Sequence, residues 1–130
     1  MISGVVLDTS ACLAFAQGKV IYAQAVVFAA VADNRVLAAS AAAVADAWAL
    51  VDEHRRMDLR VLLGLPVTVV DPVDPVDAED LGAWMATAGI LDLAAAHTVH
   101  TARRRAWPVL TAEPARLHRI DPTLPVEELP

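Results

Sequence analysis

Lysine and cysteine each occur once in these 130 residues, as Lys19 and Cys12. A single cysteine excludes an internal disulfide, and no Cys/His spacing suggests a zinc site. Long apolar runs are also missing. The longest stretch free of formal charge, Val20 to Ala32, covers 13 residues, whereas a membrane-spanning helix needs about 20 apolar ones. The N-terminus lacks the basic flank and apolar core of a signal peptide, and Asp8 interrupts its only apolar run. There is no internal repeat and no low-complexity linker. These absences predict a soluble, cytoplasmic protein with no membrane role, folded as a single domain over residues 1–130.

What is present is apolar and acidic. Hydrophobic residues make up 57% of the chain, and the mean hydropathy is +0.49. Such a chain has ample surface to bury, which excludes disorder. The net charge is −6, and an evenly acidic surface repels nucleic acid. The acids are not even, however: five of the sixteen lie between Asp71 and Asp80. The few that stand alone in apolar surroundings are the informative ones.

The segment Ser3 to Leu7 reads as a buried strand, and Asp8-Thr9-Ser10 as caps for a helix that runs to Gly18. Further helices are predicted over Ile21–Ala32, from Ala41 (capped by Ser40) to about Arg56, over Asp77–Ala88, over Asp92–Arg105, and briefly after Pro114. Strands are predicted at Val36–Ala38, Val67–Val70 and Trp107–Thr111, with a last edge strand near Val126. Strands alternating with helices at βαβ spacing predict a three-layer α/β fold with a mostly parallel sheet. In such sheets ligands bind beyond the carboxyl ends of the strands.

Four carboxylates have two readings each. Asp8 and Asp92 suit helix N-caps, and Glu113 suits a solvated loop. Asp46 is the only charge between Arg35 and Asp52; it either faces water or is held inside, where an unpaired carboxylate costs several kcal/mol. Taken together, these acids sit where parallel strands or their neighbouring helices open toward one edge. Converging carboxylates repel one another unless cations neutralise them. An all-oxygen ligand set suits Mg²⁺ or Mn²⁺, and such ions support in-line displacement at phosphorus. The chemistry implied is metal-dependent phosphodiester hydrolysis.

These residues resemble a PIN domain, the fold of the VapC-type toxins of bacterial toxin–antitoxin pairs. Four segments, from Val5 to about Arg116, carry the resemblance. Val6-Leu7-Asp8-Thr9-Ser10-Ala11 is similar to the family's opening strand and first acid. Val44-Ala45-Asp46-Ala47 resembles the helix that normally carries a glutamate. Leu91-Asp92-Leu93-Ala94-Ala95-Ala96-His97 is similar to the helix that starts with the third acid. Val109-Leu110-Thr111-Ala112-Glu113 resembles the closing strand and its Thr-x-Asp segment, with glutamate for aspartate. The resemblance implies a parallel sheet between helices and RNA cleavage with Mg²⁺ or Mn²⁺. Asp8, Asp46, Asp92 and Glu113 would be the catalytic metal ligands, supported by hydrogen bonds from Ser10 and Thr111. It also implies a homodimer and a small antitoxin-like inhibitor protein. Because Asp46 is a methylene short and Glu113 a methylene long, the alternative is a catalytically silent PIN-like module that binds RNA or a protein.

RNA needs positive surface. Arg103-Arg104-Arg105 is the densest basic cluster, with Arg116, His118 and Arg119 as residues that folding could bring beside it and Trp107 as the nearest aromatic. Arginines at a helix end also simply complement the helix dipole. Trp48 and Trp84 read as core or dimer-interface residues, and His97 and His100 as structural. A third reading, a flavodoxin-like receiver with Mg²⁺ beside a phosphorylated aspartate, is poor because no lysine follows a late strand.

Overall fold

A computed structural model describes residues 2–18 and 21–130; Lys19, the lone lysine, lies outside them. Five strands, β1 (Gly4–Leu7), β2 (Val36–Ser40), β3 (Thr68–Asp71), β4 (Val109–Thr111) and β5 (Val126–Glu128), form one sheet in the order β3-β2-β1-β4-β5. Every pairing is parallel. The helices are α1 (Thr9–Gln17), α2 (Ile21–Ala32), α3 (Ala41–Leu50), α4 (Arg56–Leu63), α5 (Pro75–Ala88), α6 (Leu93–Arg105) and α7 (Pro114–His118). The chain builds β1, β2 and β3 outward in one direction, then returns to place β4 on the other side of β1. The switch point of the sheet therefore lies between β1 and β4. Among the described residues no single helix is long and apolar enough to cross a membrane.

Alternation along the central strand divides the core in two. Val5 and Leu7 join Ala11 and Cys12 of α1, Ala23 and Val27 of α2, and Leu59 and Leu62 of α4. Val6, between them, faces the opposite side with Ala95, Val99 and Ala102 of α6 and Leu117 of α7. A strand buried on both faces has no polar side, and all four β1 residues are buried. The three-layer α/β expectation holds, and the sheet is wholly rather than mostly parallel. Gly4 is required at the start of β1: a Cβ there would lie 2.5 Å from the Val36 carbonyl oxygen and 2.7 Å from the Trp107 ring.

Several boundaries differ from the sequence reading; β2, for one, runs on to Ser40 and β3 covers Thr68–Asp71. The helix predicted from Ala41 to Arg56 ends at Leu50, where Val51 turns extended (φ −64°, ψ 138°). A 3-10 turn over Glu53–Arg55 then leads into α4, which the sequence reading lacks. Its apolar contribution, Leu59 and Leu62, is fully buried. Arg56 still serves the end of α3, from outside it, by donating to the Trp48 carbonyl at 3.0 Å. The helix predicted from Asp77 starts at Pro75, because Asp74 and Asp77 form a capping box around a proline suited to the first turn. Finally, β4 is shorter than its predicted strand and omits Trp107 and Pro108.

Candidate functional site: a carboxylate edge closed by an arginine

Asp8 follows β1 directly and lies at the switch point. It is 5% exposed. It caps α1 by accepting from the Ala11 N–H at 2.9 Å. It also accepts from two hydroxyls: Ser10 Oγ at 2.6 Å on one oxygen and Thr111 Oγ1 at 2.5 Å on the other. Each hydroxyl is occupied from its far side as well. Ser10 Oγ accepts from the Ala112 N–H and Thr111 Oγ1 from the Glu113 N–H, both at 2.8 Å. The two side chains thus relay between the end of β1 and the loop after β4. Burial pushes the Asp8 carboxyl above its usual range, against the three hydrogen bonds that favour its charged form; the Glu113 carboxylate pushes it further the same way.

Asp92 is the N-cap of α6 and accepts from the Ala95 N–H at 3.1 Å. Both its oxygens also bind one guanidinium. Arg116, on α7, donates from Nε to Oδ2 at 2.6 Å and from Nη2 to Oδ1 at 2.8 Å. The same guanidinium reaches Glu113 Oε2 at 3.4 Å through Nη1 and lies 3.8 Å from Asp46 Oδ2. The Arg116 bonds hold the Asp92 carboxyl below its usual range. Asp46 points outward, with its side chain 49% exposed; it faces this edge rather than the core.

The four acids therefore meet one edge in two groups. Asp8 is held by hydroxyls, while Asp46, Asp92 and Glu113 share Arg116. Asp8 and Arg116 face each other across a crevice lined also by Thr9, Ala94, Ala95 and Thr98, too narrow to admit water. The donors are all oxygens, as Mg²⁺ or Mn²⁺ requires. As they stand, with Arg116 among them, no three His, Cys, Asp or Glu side chains among the described residues group closely enough to hold an ion. Arg116 is the cation that three of the four acids share in this structure.

The other candidate RNA contacts are elsewhere. Arg103, Arg104 and Arg105 end α6, whose 13 residues place them about 20 Å from Asp92. Arg105 makes a fork of bonds to Asp71, 3.0 Å from Nε and 2.7 Å from Nη2, and Arg104 reaches the same carboxylate at 3.4 Å. Arg103 lies over the Trp84 ring and 3.8 Å from Asp121. Of the residues placed beside the triplet by expectation, Arg119 shares a groove with Arg103 and Trp84, whereas His118 binds the Leu124 carbonyl. Arg116 joins the acids instead. Its i,i+3 spacing from Glu113 was the one sequence signal for that role. His97 is fully buried and accepts from the Ala42 N–H at 3.4 Å; burial pushes its pKa down.

The fold has the PIN-like arrangement that the sequence resemblance implied. No family model matches the sequence, and no curated protein matches it. Among solved structures, the chain is similar to one in the crystal structure of VapBC2 from Rickettsia felis bound to a DNA fragment from their promoter. The TM-score is 0.68 at 15% identity, and all of each chain is covered. At that identity the likeness is one of fold.

Proposed function

We propose that the chain is a VapC-like endoribonuclease, the toxin of a toxin–antitoxin pair, acting at the edge formed by Asp8, Asp46, Asp92 and Glu113. The observation that carries this reading is their placement at the switch point of a fold that matches a VapBC2 chain over its full length. The proposed cofactor is Mg²⁺ or Mn²⁺. The chain's own residues have distinct parts. Asp8 is a carboxylate fixed in direction by Ser10 and Thr111, so its geometry does not depend on solvent. Glu113 and Asp46, about half exposed, are the acids free to move. Arg103, Arg104 and Arg105 are proposed as phosphate contacts, for which Arg103 and Arg104 retain exposure. The proposed partners are RNA, a small antitoxin-like inhibitor and a second copy of the chain, in the cytoplasm.

The test is cleavage of single-stranded RNA by the purified chain with Mn²⁺ or Mg²⁺, with a chelator control and Asp8→Asn. Cleavage that needs the ion and is lost in Asp8→Asn supports the reading. Intact RNA under all conditions sinks it. Arg116 favours a second reading, a catalytically silent PIN-like module, since its guanidinium already contacts three of the four acids. That reading predicts RNA or protein binding, measured by fluorescence anisotropy or pull-down, without cleavage.

A further inference from the structure

Arg116 links three carboxylates carried by different parts of the chain. Its guanidinium bridges α3, the start of α6 and the loop after β4 by touching Asp46, Asp92 and Glu113 together. The contact to Asp92 is a two-point fork at 2.6 and 2.8 Å, the strongest geometry available to an arginine–carboxylate pair. Asp92 has little left to offer: Oδ1 is also committed to the Ala95 N–H. A divalent cation using Asp92 would displace the guanidinium, because both ligands need the same oxygens and their charges repel.

We propose that Arg116 is the edge's internal cation, competing with a divalent metal for Asp92, so that the ion enters only when Arg116 swings out. This rests on the reading that the edge takes a divalent cation at all. Three carboxylates face one guanidinium, so the edge remains under-neutralised with Arg116 in place. Its attraction for a doubly charged ion is therefore restrained rather than abolished. Arg116 is carried by a helix of only five residues, Pro114–His118, and its side chain is 32% exposed. Both features let it leave without disturbing the sheet.

Calorimetric titration of the full chain with Mn²⁺ tests the competition. Arg116→Ala is expected to bind Mn²⁺ at least about tenfold more tightly than the unchanged protein, and Arg116→Lys, which keeps the charge but not the fork, to fall between. Equal or weaker binding by Arg116→Ala, or no binding by it, overturns the proposal. Should Arg116→Ala not fold, the unchanged protein still decides. Its Arg116 Nε–H resonance, followed by ¹⁵N NMR during Mg²⁺ titration, is expected to shift as the fork opens. A resonance that never moves overturns the competition. The nuclease reading fails separately: tighter Mn²⁺ binding without RNA cleavage keeps the internal cation and removes the nuclease. Cleavage with unchanged Mn²⁺ affinity does the reverse.

Discussion

The two ends of α6 carry the same chemical pair in different surroundings. At its start, Asp92 and Arg116 make a bidentate fork; at its finish, Arg105 and Asp71 make another. The Asp71 side chain is only 7% exposed and receives two arginines. Two guanidiniums converge on one carboxylate there, Arg104 lying also 3.8 Å from Asp77, and the Asp71 carboxylate is sealed under them. Arg116 has the opposite balance, one guanidinium among three acids that remain 23% to 52% exposed. The first arrangement is a brace between the edge strand β3 and the helix. The second is a partly neutralised patch of acid that water can still reach. Charge-pair geometry alone does not separate structure from function; the ratio of signs and the hydration of the partners do.

The comparison breaks most visibly in activity. If the acid edge does the chemistry, Asp8→Asn abolishes RNA cleavage while circular dichroism still reports a folded chain. Asp71→Asn, in its folded fraction, keeps cleavage. Loss of cleavage in both variants would dissolve the distinction between the two ends.

Stability comes next. Arg105→Gln strands a covered carboxylate and is expected to cost about 2 kcal/mol in urea unfolding, in the range for hydrogen bonds to charged groups. Arg116→Gln is expected to cost less than half as much, because its acids turn to water. A larger loss for Arg116 would make it a brace as well.

Acid titration sharpens the difference further. The guanidiniums hold the Asp71 and Asp92 carboxyls below their usual range. The stability they contribute is complete above the unfolded carboxylate value of about 3.9. It is lost as pH falls below that value through their folded ones. Arg105→Gln should flatten this acid limb in pH-dependent unfolding. Asp8 has the reverse sign. Burial raises its folded value, so its unfavourable ionisation sets in as pH rises through it; Asp8→Asn should narrow its stability difference from the parent as pH drops. The smallest effect expected is that of Asp46→Asn, under about 0.5 kcal/mol, since its contact with Arg116 is a solvated one.

Much of this arrangement was legible in residue order. β-branched runs marked β1 and β3, and the isolated acids after β1, in α3, before α6 and after β4 pointed to one edge. Ser10 and Thr111 were singled out by resemblance, and both donate to Asp8. The missed helix α4 had a signal in Leu59, Leu62 and Leu63 at helical spacing. The apolar run from Ala47 through Val51, with no glycine or proline to stop it, concealed the break before α4. Arg116 is a different case. Its fork to Asp92 spans 24 positions, and it exists only because α7 folds back beside the start of α6. Local pattern carries no information about that meeting, so the residue read as one more basic contact.

The bond from Thr111 to Asp8 crosses the place where the sheet changes its direction of growth. β1 and β4 share only two registered pairs there, Val6 with Val109 and Leu7 with Leu110. The side chain proposed for chemistry is thus also a clasp over the shortest seam of the fold. An alteration that loosens Asp8 to improve its reach would also loosen the seam, and one that tightens the seam would immobilise Asp8. On the proposed nuclease reading, turnover and durability would rest on the same two hydroxyls, and neither could be tuned alone.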